Sequence, residues 1–522
     1  MAYKTSSITN GEISGEYVQW LIEHQWPSRL SRFEQLWDYY DNRPESVFDK
    51  PAELSKANEM SRTFVLPQEA GLPPRITGVT KTGPNISNPL TEIQRKEVVI
   101  ENDIGWRINA MVDYLFGSGI KLLSKAEDAG RKSRIENILN AVFEHNGAAS
   151  LFQEMAVLGS VYGYVDCLIR CGGLFEPFRI SQLKHSTSAN PNTGQSLTSQ
   201  HFTSAPDVEQ LAREITIELI EAPRSLPVLD ENDYRSYRLY VQHFIRSNNA
   251  LETNESFLTR ILRKEQPALP RSQTSVTEVF SQSGWQRYED GELVMRGENP
   301  LGVIPVVHIQ NMARPCFYEG HSDVEPLIPL QDELNTRLSD RANRITFQSF
   351  RMFLLKGIDA GTEKQMMPGR LWSTFNENAS IDEFGGDANC PSETEHIGEI
   401  REALDKVSGV TPIVAGVIRD KLGNLTSAVA LRMTLMGMLA KTQRKRLTYG
   451  EGIRRICRLI LLAFDKSGIF HTEPREREIE IIFPNPQPED TIEKLREAQL
   501  KQELGISREQ VLKELGYSVE GE

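Results

Sequence analysis

Cysteine thiols, histidines, paired carboxylates and glycine-rich turns are the groups here that could do covalent, metal or phosphate chemistry, and their spacing decides whether they do. The five cysteines, Cys167, Cys171, Cys316, Cys390 and Cys457, contain no CxxC pair, so they read as buried free thiols. The nine histidines are scattered. His396 stands beside Glu395 and Glu399 but reads as a helix-surface residue, since no ligand-like spacing gathers a metal there. Gly450-Glu451-Gly452-Ile453-Arg454-Arg455 comes nearest to a dinucleotide fingerprint. It lacks the third glycine and lies within a helical pattern, where a phosphate-cradling turn cannot form. No P-loop, HExxH or GxSxG pattern occurs. Carboxylates are abundant but ordinary in distribution, which leaves a two-metal nuclease without support. No catalytic, cofactor-binding or metal-ligating residue is assigned, and no cofactor is expected.

What remains is chemistry between charges and apolar surfaces. The chain has 522 residues and a formal net charge of −13, which argues against a general nucleic-acid coat, because phosphate binding is driven by Lys and Arg. Any contact with DNA must be local. The span 426–466 is basic, with Arg432, Lys441, Arg444, Lys445, Arg446, Arg454, Arg455, Arg458 and Lys466 against Glu451 and Asp465. Just before it, Arg419 and Lys421 flank Asp420 in a stretch interrupted by Gly409, Pro412, Gly416 and Gly423. A third group, Asp332, Glu333, Arg337, Asp340, Arg341 and Arg344, fills the polar positions of 329–350. A fourth is apolar: Met352-Phe353-Leu354-Leu355, Met366, Met367, Leu371, Trp372, Phe375 and Phe384 crowd into 351–391. So small a unit cannot bury them all alone, which points to a docking surface where strands of adjacent copies pair.

Several elements must position these groups. In 329–350, Leu327, Leu330, Leu334, Leu338, Ala342 and Ile345 recur at three and four residues, one apolar stripe under a charged face. Ser322 with Glu325 forms a capping-box signal, and Pro326 and Pro329 suit a first turn. The basic span reads as a long helix, kinked where Gly437, Gly450 or Gly452 lets it bend and buried on one side. Residues 1–70 look helical and amphipathic, with Trp20, Leu21, Trp26, Leu30, Phe33, Leu36, Trp37, Tyr39 and Tyr40 as core anchors. A loop is expected over 71–90, and helices over 93–116, 133–145 and 149–158. Strands are expected over 161–170, 215–221, 234–245, 277–280, 284–288 and 303–308, making an antiparallel sheet with helices around it. The polar stretch 184–207 reads as a mobile surface loop. No apolar run approaches a membrane span, and residues 1–17 lack the apolar core of a signal peptide, so a soluble chain that stays in the cytoplasm where it is made is expected. The fold class is α+β, mainly helical.

At this point the residues carry a resemblance. Asn299-Pro300-Leu301-Gly302-Val303-Ile304-Pro305-Val306-Val307-His308, then Tyr318-Glu319-Gly320-His321-Ser322-Asp323-Val324-Glu325-Pro326 and the helix after it, resemble the segment entering the stem in portal proteins of tailed double-stranded DNA bacteriophages. Asp113-Tyr114-Leu115-Phe116-Gly117 is similar to the family's helix end before its central sheet, and Leu158-Gly159-Ser160-Val161-Tyr162-Gly163 to its helix-to-strand step. Leu425-Thr426-Ser427-Ala428-Val429-Ala430-Leu431 resembles the start of its long helix, and Phe483-Pro484-Asn485-Pro486-Gln487-Pro488-Glu489-Asp490 the step into its C-terminal helices. The insertion 184–207 departs from the pattern, and the first 70 residues match nothing in it.

The resemblance implies a head-to-tail connector: a homo-oligomeric ring, of about twelve copies, at one capsid vertex. It implies a wing (1–315), a first stem helix (322–350), a clip (351–391), a second stem helix (392–408), a tunnel loop (409–425), a long helix returning to the wing (426–485) and a crown (486–522). The implied partners are other copies of the chain, the large terminase, head-completion or adaptor proteins, the major capsid or scaffolding protein, and double-stranded DNA passing without sequence specificity. Arg419, Asp420 and Lys421 would face that DNA. Met366, Met367, Trp372 and Phe375 would serve clip docking, and Asp332, Glu333, Arg337, Asp340, Arg341 and Arg344 the stem. The location would be the virion's portal vertex, and the host cytoplasm during assembly. Two other readings stay open: another capsid or head-completion protein, and a DNA-processing enzyme.

Overall fold

A computed structural model of the chain describes residues 15–46, 64–77, 79–81, 87–89, 97–117, 119–175, 211–247, 273–349, 352–356, 378, 380–384, 390–415, 433–484, 491–508 and 511. It begins with α1 (Gly15–His24) and α2 (Trp26–Asp41). Pro27 suits the first turn of α2, and Asn42 ends it in the left-handed region with its N–H on the Asp38 carbonyl at 3.0 Å. Regular helix therefore stops at Asp41, and Pro67–Gly71 is a 3-10 turn. The expected loop over 71–90 holds a helical turn, Pro74–Thr77, and a short ladder of Val79–Lys81 with Ser87–Pro89. The N-terminal aromatics are core anchors as expected: Phe33, Leu36 and Tyr39 are buried and Trp37 and Tyr40 pack beside them.

Further on come α3 (Asp103–Phe116), β1 (Lys121–Ser124), α4 (Ala129–His145), α5 (Ala149–Tyr162), β2 (Tyr164–Arg170), β3 (Thr216–Ile220), β4 (Ser225–Leu229) and β5 (Tyr237–Ser247). β6 (Gln273–Phe280), β7 (Gly284–Glu289), β8 (Glu292–Glu298) and β9 (Val306–Gln310) follow, then α6 (Ile328–Ser349), β10 (Met352–Lys356) and β11 (Ser380–Phe384). α7 (Pro391–Ser408), α8 (Met436–Lys466), β12 (Ile479–Ile482) and α9 (Thr491–Glu503) complete the order. The single sheet expected from sequence is two antiparallel sheets, ordered β8-β7-β6-β5-β4 and β9-β2-β3, and β12 pairs with β1 in a separate ladder. Between β7 and β8, Asp290 and Gly291 both have positive φ, +50° and +85°, the requirement of a tight primed hairpin turn.

The main core lies where α3, α5 and α8 meet β2 and β9, with Ile108, Met155, Val165, Ile309, Ile453, Ile456 and Ile460 all buried. Two glycines make the α5-to-β2 step possible. At Gly163 φ is +91°, and a Cβ would stand 2.6 Å from the Gly320 carbonyl oxygen. At Gly159 a Cβ would collide with the Tyr449 hydroxyl, so the glycine lets α8 approach α5. Gly450 and Gly452, expected as bend points, lie in a helix that is continuous from Met436 to Lys466. There Gly452 gives room to the Ile309 side chain and Gly450 to Phe483. Among the cysteines, Cys167, Cys171 and Cys457 are buried free thiols, while Cys316 is exposed and Cys390 half-buried, against expectation.

α6 carries a second stripe that the apolar reading of its sequence missed. Gln331, Asn335, Ser339 and Asn343 are buried at successive i, i+4 positions and hydrogen-bond an extended strand of backbone. Asn343 Oδ1 accepts from the Glu97 N–H at 2.8 Å and its Nδ2 donates to the Glu97 carbonyl at 2.9 Å. Ser339 Oγ accepts from Val99 at 3.0 Å, Asn335 Oδ1 from Glu101 at 3.0 Å and Gln331 Oε1 from Asp103 at 3.2 Å. The spacing works because four helical residues rise about 6 Å and two strand residues about 6.6 Å. The helix thus acts as a β-edge built of side chains. This pairing explains why 97–102 is extended and why α3 starts only at Asp103, where the Asn102 side chain accepts from the Gly105 N–H at 3.0 Å.

Candidate functional site

Arg419, Asp420 and Lys421 lie outside the described residues, as do Met366, Met367, Trp372, Phe375 and the 184–207 stretch. The strands framing the second group are described, and β10 pairs with β11 of the same chain, Met352 opposite Phe384. Also described is the root formed by the two chain ends that bracket the segment carrying Arg419 and Lys421. α7 ends at Gly409, whose φ of +71° turns the chain, and its N–H donates to the Asp405 carbonyl at 2.9 Å. A Cβ on Gly437 would come within 3.7 Å of the Gly409 carbonyl oxygen, so the chain leaves α7 and enters α8 at nearly one place. Val410 and Met438 close this root over Met111.

Two buried cations bolt the root to the body of the protein. Arg107 of α3 donates to Ser408 Oγ at 3.1 Å and to the Val410 carbonyl, and it pairs with Asp103 at 2.9 Å and Asp405 at 2.7 Å. Lys441 of α8 donates to the Ser408 carbonyl at 2.8 Å and reaches Asp323 Oδ1 at 2.7 Å. Asp323, just before α6, is gripped from the other side by Lys445 at 2.5 Å. Lys445 also donates to Ser160 Oγ at 2.7 Å, while Asn311 Nδ2 donates to Asp323 at 3.0 Å and Tyr449 donates to Asn311 at 3.2 Å. The start of α6, the end of α7 and the shaft of α8 therefore share one ionic cluster. Burial alone would raise the Asp323 pKa, but the two ammonium groups override it and hold the carboxyl well below the usual carboxylate range. Burial pushes the Lys445 ammonium down to about 8 against the pull of Asp323.

The charged face of α6 is largely engaged within the chain. Asp332 accepts from the Tyr39 hydroxyl at 2.6 Å, Glu333 pairs with Arg337 at 2.7 Å, Asp340 with Arg75 at 2.6 Å, and Arg344 with Glu393 of α7. Arg341, half-buried, has no carboxylate partner among the described residues. His396 sits on the helix surface, 3.4 Å from Glu333 and 3.6 Å from Glu399. Among the described residues no group of three His, Cys, Asp or Glu could hold a metal ion, and no helix is long and apolar enough to cross a membrane.

A second buried carboxylate, Asp166 on β2, has an entirely different shell. It accepts from Ser225 Oγ at 2.8 Å, Tyr240 at 2.9 Å and Tyr318 at 2.9 Å, and His308 Nδ1 lies 2.7 Å away. Burial drives the Tyr240 and Tyr318 hydroxyls well above their ordinary range, and Asp166 adds to the shift. His308 and Tyr237 also border an open cavity of about 540 Å³, rimmed by Arg235, Arg455, Arg458 and Arg477. Neither carboxylate was singled out from sequence. Their partners come from segments far apart in the chain, and the one local signal was that Asp166 interrupts an apolar strand.

These features define a mainly helical α+β protein in which two helices, with a two-stranded ladder between them in the chain, meet a third, long helix at a buried ionic cluster. The chain belongs to the family "Phage portal protein, SPP1 Gp6-like", whose profile matches residues 20–517. It is thus a phage portal protein by family, and the expected α+β, mainly helical portal class holds. No curated protein matches it. Among solved structures it is similar to a chain described as "Neck of empty GTA particle computed with C6 symmetry", at 13% identity and a TM-score of 0.41, covering 80% of this chain and 90% of that one. A chain from "Virion of native gene transfer agent (GTA) particle" is similar at 13% identity and a TM-score of 0.37, covering 79% and 89%.

Proposed function

We propose that the chain assembles into a homo-oligomeric ring at one capsid vertex and forms the channel through which double-stranded DNA is packaged and ejected. The observation that carries this reading is the family match across residues 20–517. In this reading α6 and α7 are the stem helices, the insert with β10 and β11 is the clip, residues 409–425 form the tunnel loop, α8 returns to the wing and 486–522 form the crown. The clip docks the large terminase during packaging and an adaptor protein afterwards, and the wing meets capsid or scaffolding protein. The ring forms in the host cytoplasm and remains in the virion. Its role is structural and not enzymatic: a conduit for any sequence needs weak contact with phosphates, and a chain of net charge −13 with local basic belts supplies it.

The loop root supports the same reading. A loop that leaves and re-enters at one clamped point can project into a channel without loosening the helices behind it. Negative-stain imaging of the purified protein tests the assembly: rings with a central hole are expected, and compact monomers with metal-dependent nuclease activity would overturn the proposal. The loop is tested by the Arg419→Glu, Lys421→Glu variant in assembled heads. Packaging should slow, more at low salt than at high, with rings intact; wild-type packaging at both ionic strengths removes these residues from the DNA path.

A further inference from the structure

We infer that the outward face of α8 is the seat for the acidic face of α7 from a second copy of this chain; the inference rests on the ring reading and adds the contact that builds it. One side of α8 carries exposed residues from its start to its end, and toward that end it borders the cavity beside His308. Met436 and Leu447 are 61% and 73% exposed, Met433 just before the helix 66%, and Arg444, Arg455, Arg458 and Lys466 are exposed on the same side. Among the described residues the carboxylates paired with these cations are Glu451, shared by Arg454 and Arg455, and Glu478, 3.6 Å from Arg458. The face is thus apolar toward its N-terminal end and cationic toward its C-terminal end.

α7 carries the complementary charge. Glu395, Glu399 and Glu402 recur at four and three residues on its exposed side, and no Lys or Arg among the described residues pairs with them. Lys406, exposed four residues past Glu402, ends that stripe, and Val407, 49% exposed, lies about a third of a turn round from it. The opposite side of α7 is tied down within the chain, through Glu393 to Arg344 and Arg401 to Glu101, so the acidic side is the one left over. An antiparallel or parallel approach of the two faces sets the glutamates against the arginines. The two faces differ, so each copy uses one face toward each neighbour, the head-to-tail contact that closes rings. A nucleic acid is the poorer occupant, because exposed methionine and leucine offer phosphates nothing and Glu451 sits among the cations.

Reversing one face at a time tests this by sedimentation. E395R/E399R/E402R and R454E/R455E/R458E should each lose the ring and sediment as folded monomers of 59.1 kDa, and the chain carrying all six changes should recover it. Should a triple variant unfold, the wild-type ring still reports through salt, dissociating between about 0.1 and 1 M NaCl as the charges are screened. Rings that persist in both triple variants, or that ignore salt, overturn this contact and leave the ring reading standing. A basic-face variant that keeps its ring and loses only DNA binding assigns the face to nucleic acid instead. A wild-type chain that never assembles overturns both proposals together.

Discussion

Asp323 and Asp166 are both carboxylates removed from water, and the fold compensates them in opposite ways. Asp323 is met by two ammonium groups on successive turns of α8, within 2.7 Å and 2.5 Å, whereas Asp166 is met by three hydroxyls and an imidazole. The ionic solution ties together the start of α6, the end of α7 and α8. The hydroxyl solution ties β2 to β4 and β5 of the other sheet, to β9 and to the segment after it. The difference in chemistry predicts a difference in brittleness. Removing a charge from the first site strands two buried cations, while removing it from the second leaves dipoles that can reorient.

The largest effect should come from Asp323→Asn. It leaves Lys441 and Lys445 buried beside an amide, and a loss of about 3–5 kcal/mol is expected. Asp166→Asn keeps an oxygen that accepts from the same hydroxyls, so about 1–3 kcal/mol is expected there. Denaturant unfolding of both variants checks the order; equal losses would erase the distinction between the two sites. Combining Lys445→Met with Asp323→Asn sharpens it. The pair should cost less than the sum of the single changes, because a buried charge that has lost its partner is removed with it.

How much of this was legible in sequence depends on range. α6 was placed within a residue or two, because the 3.6-residue apolar period, the Ser322 cap and the prolines are all local signals. Most of the strands were legible for the same reason, as was the buried side of α8, whereas α7 was expected only from the family resemblance. Within the helix expected over 93–116, the assignment failed at 97–102. There the backbone follows the polar ladder of α6, some 230 residues away, and the tertiary pairing overrides local propensity. The ladder itself had a readable signal in the strict i, i+4 spacing of Gln331, Asn335, Ser339 and Asn343, but short polar residues on a helix are read by default as solvent-facing. Lys441 and Lys445 were counted as part of a basic face for that reason, although both are buried. Asp323 was quoted within a motif without a role, since its partners lie on α8 and near Gly163.

A smaller effect tests whether the ladder is a third kind of polar site, neutral throughout. Asn335→Ala removes the acceptor for the Glu101 N–H and leaves that donor and the Gln68 side chain short of a partner. A loss of about 1–2 kcal/mol is expected, together with faster hydrogen exchange at Glu101. Exchange at Glu97, held by Asn343, should change less. Uniform acceleration from 97 to 103 would mean that the segment opens as one piece and that the rungs are not separate.

The smallest effect is the dependence on pH, and it separates the two carboxylate sites by sign. At the Asp323 site the carboxyl titrates lower in the folded chain than in the unfolded one, so its contribution is present above the ordinary carboxylate range and fades as pH falls below it. Lys445 acts at the other end. Burial lowers its pKa from 10.5 to about 8, so between those values the unfolded chain holds a proton that the folded chain has released. Stability contributed by this group therefore rises with pH across that window. The tyrosines around Asp166 do the reverse. Their hydroxyls stay protonated in the folded chain well above 10, while unfolded tyrosine ionises near 10, so above that pH the folded chain binds more protons and stability falls. Unfolding free energy from pH 7.5 to 11 should then show a shallow rise followed by a decline. Lys445→Met should remove the rise and keep the decline, and Tyr240→Phe should weaken the decline and keep the rise. A wild-type profile that Lys445→Met does not alter would mean that Lys445 stays charged across the range and that the clamp on Asp323 is purely ionic.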